Sequence, residues 1–308
     1  MRKIALEKIY ELAKKNDKIF FIGSDLGYGV LDKFKKEMPN RFFMEGIAEA
    51  NIIGVAAGLA LEGKIVYINT ISTFLTRRCF EQLVLDLCLH KANVRLIGSG
   101  GGVVYAPLGP TPLAFDDIAI LRAIPNMTIV APADAEEMNR LIPQTVDYPG
   151  PIYIRLAKGN DPIVTPDNIP FKIGKAIPIR EGNDALIITT GTTLKMALDA
   201  ANKLTEEGIN VSILHAHTIK PLDKESLHKF IVQVPIIVTI EEHSKIGGLG
   251  SAVAELIAET HFLTSKRFKR IALPDIFPEG YGSQAEMLEK YSITTKNLIK
   301  VIKNLRGE

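Results

Sequence analysis

The sequence predicts an α/β protein of two domains, each a mainly parallel sheet with helices on both faces. Short apolar runs alternate with stretches of helical period along the whole chain, the pattern of parallel strands covered by crossover helices. At 308 residues the chain is long for one core and suits two of about 150 residues. In the first half the strands read KIFFIGSD, KIVYINT, VRLIGS, MTIVAP and PIYIRL. Helices are expected over 2–16, about 46–62, 74–90, 115–123 and 134–146. A second unit begins near Asp184 with ALIITTG, then the helical TLKMALDAANKLTEEG, NVSILHAHTIKPLD, PIIVTIEEH and GGLGSAVAELIAE. Between the halves, GNDPIVTPDNIPFKIGKAIPIREGN holds four prolines and no helical period. The expected boundaries are therefore 1–160, a linker over 161–183, and 184–308.

Composition narrows the function classes. A net charge of +2 offers no broad field for nucleic acid, and the basic cluster SKRFKR at 265–270 reads as a solvated approach to a strand. Gly, Pro or a charge breaks the apolar stretches well before the roughly 20 residues of a membrane span. The start, MRKIALEKIYELAKKNDK, mixes acids into a helical apolar period, unlike a signal or transit peptide, so a cytoplasmic amphipathic helix is expected. Cys79 and Cys88 supply neither metal spacing nor a disulfide framework and read as reduced thiols in a packed helix. The six histidines form no HExxH-like pair, so no metal site is expected from this chain's own side chains.

Sites in open parallel sheets lie beyond the carboxyl ends of the strands, where GSDLGYG, NTISTF, GSGGGVVYAPLGPT and PADAEE can converge. Gly98, Gly100, Gly101 and Gly102 lack the spacing of a nucleotide fingerprint, since Val103 stands where glycine is needed; they read as turn glycines. More informative is FMEGIAEANIIGVAAGLALEG at 43–63. Gly54 and Gly58, flanked by Ala56, Ala57 and Ala60, leave one side of this helix nearly bare. Glycine costs about 1 kcal/mol in a helix interior relative to alanine, so the pair implies close packing, inside the fold or at a subunit interface. An acid buried where that helix begins would have its pKa raised by desolvation. Nearby, Phe74, Arg77 and Phe80 stand three apart, within roughly 120° on an α-helix. Two aromatics with a cation between them can wall a flat heterocycle, although Phe at this spacing also suits a plain core.

Five ordered blocks then become recognisable: EGIAEANIIGVAAGLALEG, NTISTFLTRRCFEQ, GPTPLAFDDIAILRAIPNMTIVAPADAEE, HTIKPLD and TIEEHSKIGGLGSAVAE. Together they resemble the C-terminal half of transketolase across essentially the whole chain. The resemblance implies a thiamine-diphosphate pyrimidine-binding domain followed by a transketolase C-terminal domain. It also implies transfer of a ketol unit from a ketose donor to an aldose acceptor through a carbanion-enamine on the cofactor. By the same resemblance Glu49 is the acid that hydrogen-bonds the pyrimidine nitrogen, and Glu45 is a helix-start acid. Phe74 matches the family's ring-stacking phenylalanine. Arg77 and Phe80 occupy positions that line the same pocket in relatives, Leu75 and Ile52 are expected to complete its apolar side, and Arg155 matches an arginine that binds the substrate phosphate, a strand-end surface pair being its plain alternative.

The family binds the diphosphate through Mg²⁺ with a GDG block, and none occurs here. The expected enzyme is split: a separate N-terminal subunit supplies the diphosphate and Mg²⁺ motif, and two such pairs form an α2β2 assembly acting on a sugar or sugar phosphate. The loop departs from the family as well. Pro112 stands for the histidine of GPTH, Leu108 for the preceding aspartate, and a further loop histidine falls near Gly100. Loss of such acid and base assistance, typically worth 10²- to 10⁴-fold, predicts a different donor or replacement by partner groups. The alternatives are a beta subunit of a 2-oxoacid dehydrogenase or other thiamine-diphosphate carboligase, and a non-catalytic paralogue.

Overall fold

Strands buried along almost their whole length form the centre of each sheet, and helices with one apolar face close over them. The structure is a computed structural model that describes residues 1–23, 29, 31–44, 46–157, 159, 161–166 and 169–307. The first unit runs α1 (Arg2–Lys15), β1 (Ile19–Gly23), α2 (Asp32–Glu37), β2 (Phe42–Met44), α3 (Glu49–Leu61), β3 (Ile65–Ile71) and α4 (Ser72–Thr76). It continues with α5 (Phe80–Gln82), a π-helical segment (Leu83–Leu89), β4 (Val94–Ser99), α6 (Asp117–Arg122), β5 (Thr128–Val130), α7 (Ala135–Gln144) and β6 (Ile152–Leu156). The second runs β7 (Ile177–Arg180), β8 (Ala185–Thr189), α8 (Thr193–Glu206), β9 (Val211–His215), β10 (Thr218–Lys220), α9 (Lys224–Gln233) and β11 (Ile236–Ser244). It ends with α10 (Leu249–Glu259), β12 (Arg267–Leu273), α11 (Gln284–Lys290) and α12 (Thr295–Arg306).

The sheets are ordered β10-β5-β6-β4-β3-β1-β2 and β12-β11-β8-β9-β7. All neighbours are parallel except two edge pairs, β10 with β5 and β7 with β9. Buried Leu6, Ile9, Met138 and Leu141 of α1 and α7 cover one face of the first sheet. Ile53 and Ala56 of α3, Leu83 and Leu87 of the π segment, and Ile118 of α6 cover the other. Each such large side chain contributes about 1.5–3 kcal/mol by leaving water.

Three elements differ from expectation. The proline-rich stretch is not wholly a linker, since it supplies β7; Pro178 is tolerated there because an edge strand leaves one side of its backbone without a ladder partner. The run NVSILHAHTIKPLD splits after His215, and its second piece, β10, leaves its own unit to pair with β5 of the first. The helix expected over 74–90 breaks into three pieces. Cys79 Sγ donates to the Phe74 carbonyl, and Thr76 Oγ1 donates to the Ser72 carbonyl at 2.8 Å. Such side-chain bonds compete with the helical ladder and bend it. The basic cluster runs into β12 itself, an edge strand whose first residues alternate between exposed and half-buried.

Candidate active site

The carboxyl ends of β3 and β4 face α3 and α4, which carry the acid and the aromatic singled out above. Glu49 opens α3 and is 2% exposed, although no side chain caps that helix. Its burial follows from the helix's apolar face: Ile52, Ile53, Ala56 and Ala57 turn inward and draw the first turn down with them. Two residues earlier, Ile47 holds a φ of 55° while 85% exposed. A β-branched residue in the left-handed region stores strain of order 1–3 kcal/mol, which clusters at functional sites. On the opposite side of α3 Gly54 and Gly58 face outward and a Cβ on Gly58 would meet nothing within 4 Å, while Ala56 and Ala57, expected to flank that bare side, turn inward and exposed Val55 stands on it. Glu45 lies outside the described residues.

The aromatic wall is built differently from the sequence reading. Because the helix breaks after Thr76, Phe74, Arg77 and Phe80 do not form one continuous helical face. Arg77 turns to α6, its Nε 2.9 Å from both Asp116 oxygens and its Nη2 2.7 Å from Oδ1, with the guanidinium 4.9 Å over the Phe115 ring. The cation over Phe74 is Arg78, whose guanidinium carbon lies 4.3 Å from the ring centre. The same guanidinium donates from Nη1 to Glu49 Oε2 at 2.6 Å. Sequence reasoning passed over Arg78, and helical spacing could not separate it from Arg77, since residues four apart on a helix are neighbours as surely as those three apart. Phe80 is 37% exposed at the start of α5, and Ile52 is buried one turn beyond Glu49.

Arg155 is placed away from solvent, in a buried polar network between the two units. Its Nε donates to Asp117 Oδ2 at 2.7 Å, and its Nη2 donates to the carbonyls of Ala114 and Glu242. Tyr153 donates to the same Asp117 oxygen at 2.7 Å, and the His243 ring stands 3.8 Å from the other. Asp117 is fully buried and Arg155 is 8% exposed. Burial alone would raise the aspartate, but the Arg155 charge and hydrogen bond hold it below the usual carboxylate range. Burial likewise opposes the Arg155 charge, and Asp117 more than restores it. A surface pair does not describe this arrangement, since Arg155 is buried and its Nε and Nη2 are spent on the protein. His243 accepts from the Ala119 N–H at Nε2 and pairs with the Ser244 carbonyl at Nδ1, a structural role. Glu242 accepts from the Val103 N–H and from Gln284, and burial pushes its carboxyl up.

The glycine run performs its turn. Gly100 and Gly102 hold φ of 79° and 74°, and a Cβ on Gly100 would stand 2.1 Å from the Tyr105 ring. Leu108, in the loop that departs from the family, is 64% exposed. A concavity of about 680 Å³, lined by Lys18, Ile65, Lys91, Asn93 and Tyr148 among others, opens at the amino ends of β3 and β4. Open parallel sheets place their chemistry at the carboxyl ends of the strands, the end away from this groove and the one where Glu49 lies. Cys79 and Cys88 are buried and form no disulfide, and burial raises the Cys88 thiol to about 12. No described helix is long and apolar enough to cross a membrane.

The sequence matches two family models: the transketolase pyrimidine-binding domain over residues 1–162, and the transketolase C-terminal domain over 174–298. It is 35% identical over 301 residues to a 6-deoxy-6-sulfo-D-fructose transketolase subunit of Clostridium sp. (strain MSTE9), covering 97% of this chain and 92% of that one. It is 38% identical over 301 residues to an apulose-4-phosphate transketolase subunit of Phocaeicola vulgatus, covering 97% and 95%. Among solved structures, a split-gene transketolase described as an inactive beta4 tetramer superposes with a TM-score of 0.89 at 34% identity, covering 99% and 97%.

Proposed function

The chain belongs to the transketolase family, as a C-terminal subunit of the split type, and from that premise we propose that it works with thiamine diphosphate to move a ketol unit from a ketose to an aldose. The observation that carries the reading is a buried carboxylate, Glu49, joined to the face of Phe74 through a flat group lying between them. That slot accepts a planar nitrogen-bearing ring, so the residues fit the cofactor's aminopyrimidine. When bound, thiamine diphosphate supplies an acidic thiazolium carbon able to add to a ketose carbonyl and hold the electrons released by carbon–carbon cleavage. Glu49 would hold a proton at Oε2 toward a ring nitrogen, with burial strengthening that bond. Phe74 would stack the ring, Ile52 would exclude water on the apolar side, and Phe80 would border the rim. Arg77, fixed by Asp116, would hold the wall in place.

A separate N-terminal subunit would supply the diphosphate and Mg²⁺ motif, completing an α2β2 assembly in the cytoplasm. The bare face of α3 and the exposed Phe43, Met44, Val55, Leu61, Leu85 and Leu89 support a subunit contact there. The two named relatives of matching length are themselves subunits. The proposed division remains 1–160, a linker over 161–183 and 184–308, amended in that β7 within the linker pairs with β9 and β10 pairs with β5 of the first sheet.

The test reconstitutes the chain with its partner, thiamine diphosphate and Mg²⁺ over a panel of ketose and aldose phosphates. Cofactor-dependent transfer is expected, falling about 10²- to 10⁴-fold in Glu49→Gln with folding retained. Decarboxylation of pyruvate or branched 2-oxoacids in place of transfer would instead decide for a dehydrogenase beta subunit or another carboligase. Cofactor binding without turnover on any substrate would decide for the non-catalytic paralogue.

A further inference from the structure

The geometry points to Arg78 as an internal occupant of the ring site, a displaceable latch that a pyrimidine must push aside. This rests on the reading that Glu49 and Phe74 hold that ring. Both contacts assigned to the ring are already made by one planar group: the guanidinium lies 4.3 Å from the Phe74 centre and donates to Glu49 Oε2 at 2.6 Å. A guanidinium and a pyrimidine cannot share the space.

The two partners of the ion pair are unequal. The Glu49 side chain is 3% exposed and the Arg78 side chain is 45% exposed. The arginine side chain can therefore reach water, while the glutamate cannot leave. Arg77 does not compete for the acid, because Asp116 holds it through three short contacts. A buried carboxylate without a partner is strongly destabilising, so Arg78 keeps the acid compensated until a ring arrives. Binding is then weakened by the fraction of time the latch is open.

The experiment titrates the full chain with 4-amino-2-methylpyrimidine, the ring alone, and follows both ring affinity and the Arg78 Nη1–H resonance by NMR. Ring binding in the wild type is expected to abolish that resonance's ion-paired signature. Arg78→Ala is expected to bind about tenfold tighter, the gain from opening a latch shut nine-tenths of the time, or about 1.4 kcal/mol. Arg78→Lys, which keeps the charge but not the flat fork, guards against a folding failure and is expected to gain a few-fold. If Glu49→Gln weakens the ring but neither Arg78 variant tightens it, the latch is wrong and the ring site stands. If Glu49→Gln leaves ring affinity unchanged, or no variant binds the ring at all, the ring-site reading falls and the latch with it.

Discussion

Replacing Arg155 by methionine should unfold the boundary between the two units rather than blunt substrate binding. Arg155 is 8% exposed and Asp117 is fully buried, so the substitution strands a carboxylate whose remaining close donor is the Tyr153 hydroxyl. Removing one member of a buried ion pair typically costs about 3–5 kcal/mol. Against a native stability of order 5–15 kcal/mol, that is about a fifth or more of the whole. The double variant Asp117→Leu with Arg155→Met removes both charges and should recover most of the loss, because a buried pair repays its own desolvation poorly. Urea unfolding of the parent, both single variants and the double variant closes the cycle, with a coupling of about 2 kcal/mol or more expected. The pair also carries an acid signature. Asp117 sits below its ordinary value of 3.8 in the folded state, so its contribution is present above that pH and is lost as pH falls below it. A stability change under about 0.5 kcal/mol in Arg155→Met, together with a raised KM for phosphorylated ketoses, would overturn this account and put Arg155 on the substrate.

Two further expectations follow from burial. The His217 ring, stacked on Phe171 at 3.9 Å, is pushed by burial from 6.5 down to about 3. Its folded value lies below its unfolded one, so stability is full above pH 6.5 and declines as pH falls toward 3, by about 1.4 kcal/mol per unit. His217→Asn should flatten that part of an unfolding profile, and an unchanged slope would assign it to other groups. Gly58→Leu should leave the isolated chain as stable or slightly more so, since its Cβ meets open space and leucine favours helix. The same change should weaken assembly measured by sedimentation; unchanged assembly would show that α3 does not meet a neighbour.

Much of the fold was legible because it is written in local pattern. The buried strands β3, β4, β6, β8 and β11 are short runs bounded by Gly, Pro or polar residues, and α1, α6 and α7 fell within a few residues of expectation. What escaped was pairing at the edges. β10 and β7 are too short for periodicity to reveal, and nothing local says that residues 218–220 leave one sheet for another. The continuous helix over 74–90 failed for a related reason, since a thiol and a hydroxyl intercept carbonyls that the helical ladder needs.

The candidate site divides the same way. Residue pattern narrowed the acid to the start of an apolar, glycine-faced helix, where Glu45 and Glu49 both stand, and it was the resemblance to transketolase that singled out Glu49 and Phe74. Which arginine meets them was decided only in three dimensions. Arg77 and Arg78 are identical in chemistry and adjacent in sequence, but the break after Thr76 sends one to Asp116 and the other to Glu49. Arg155 likewise owes its role to a distant α6 that delivers Asp117 beside it, since the energy of a charge depends on what surrounds it and not on its place in the chain.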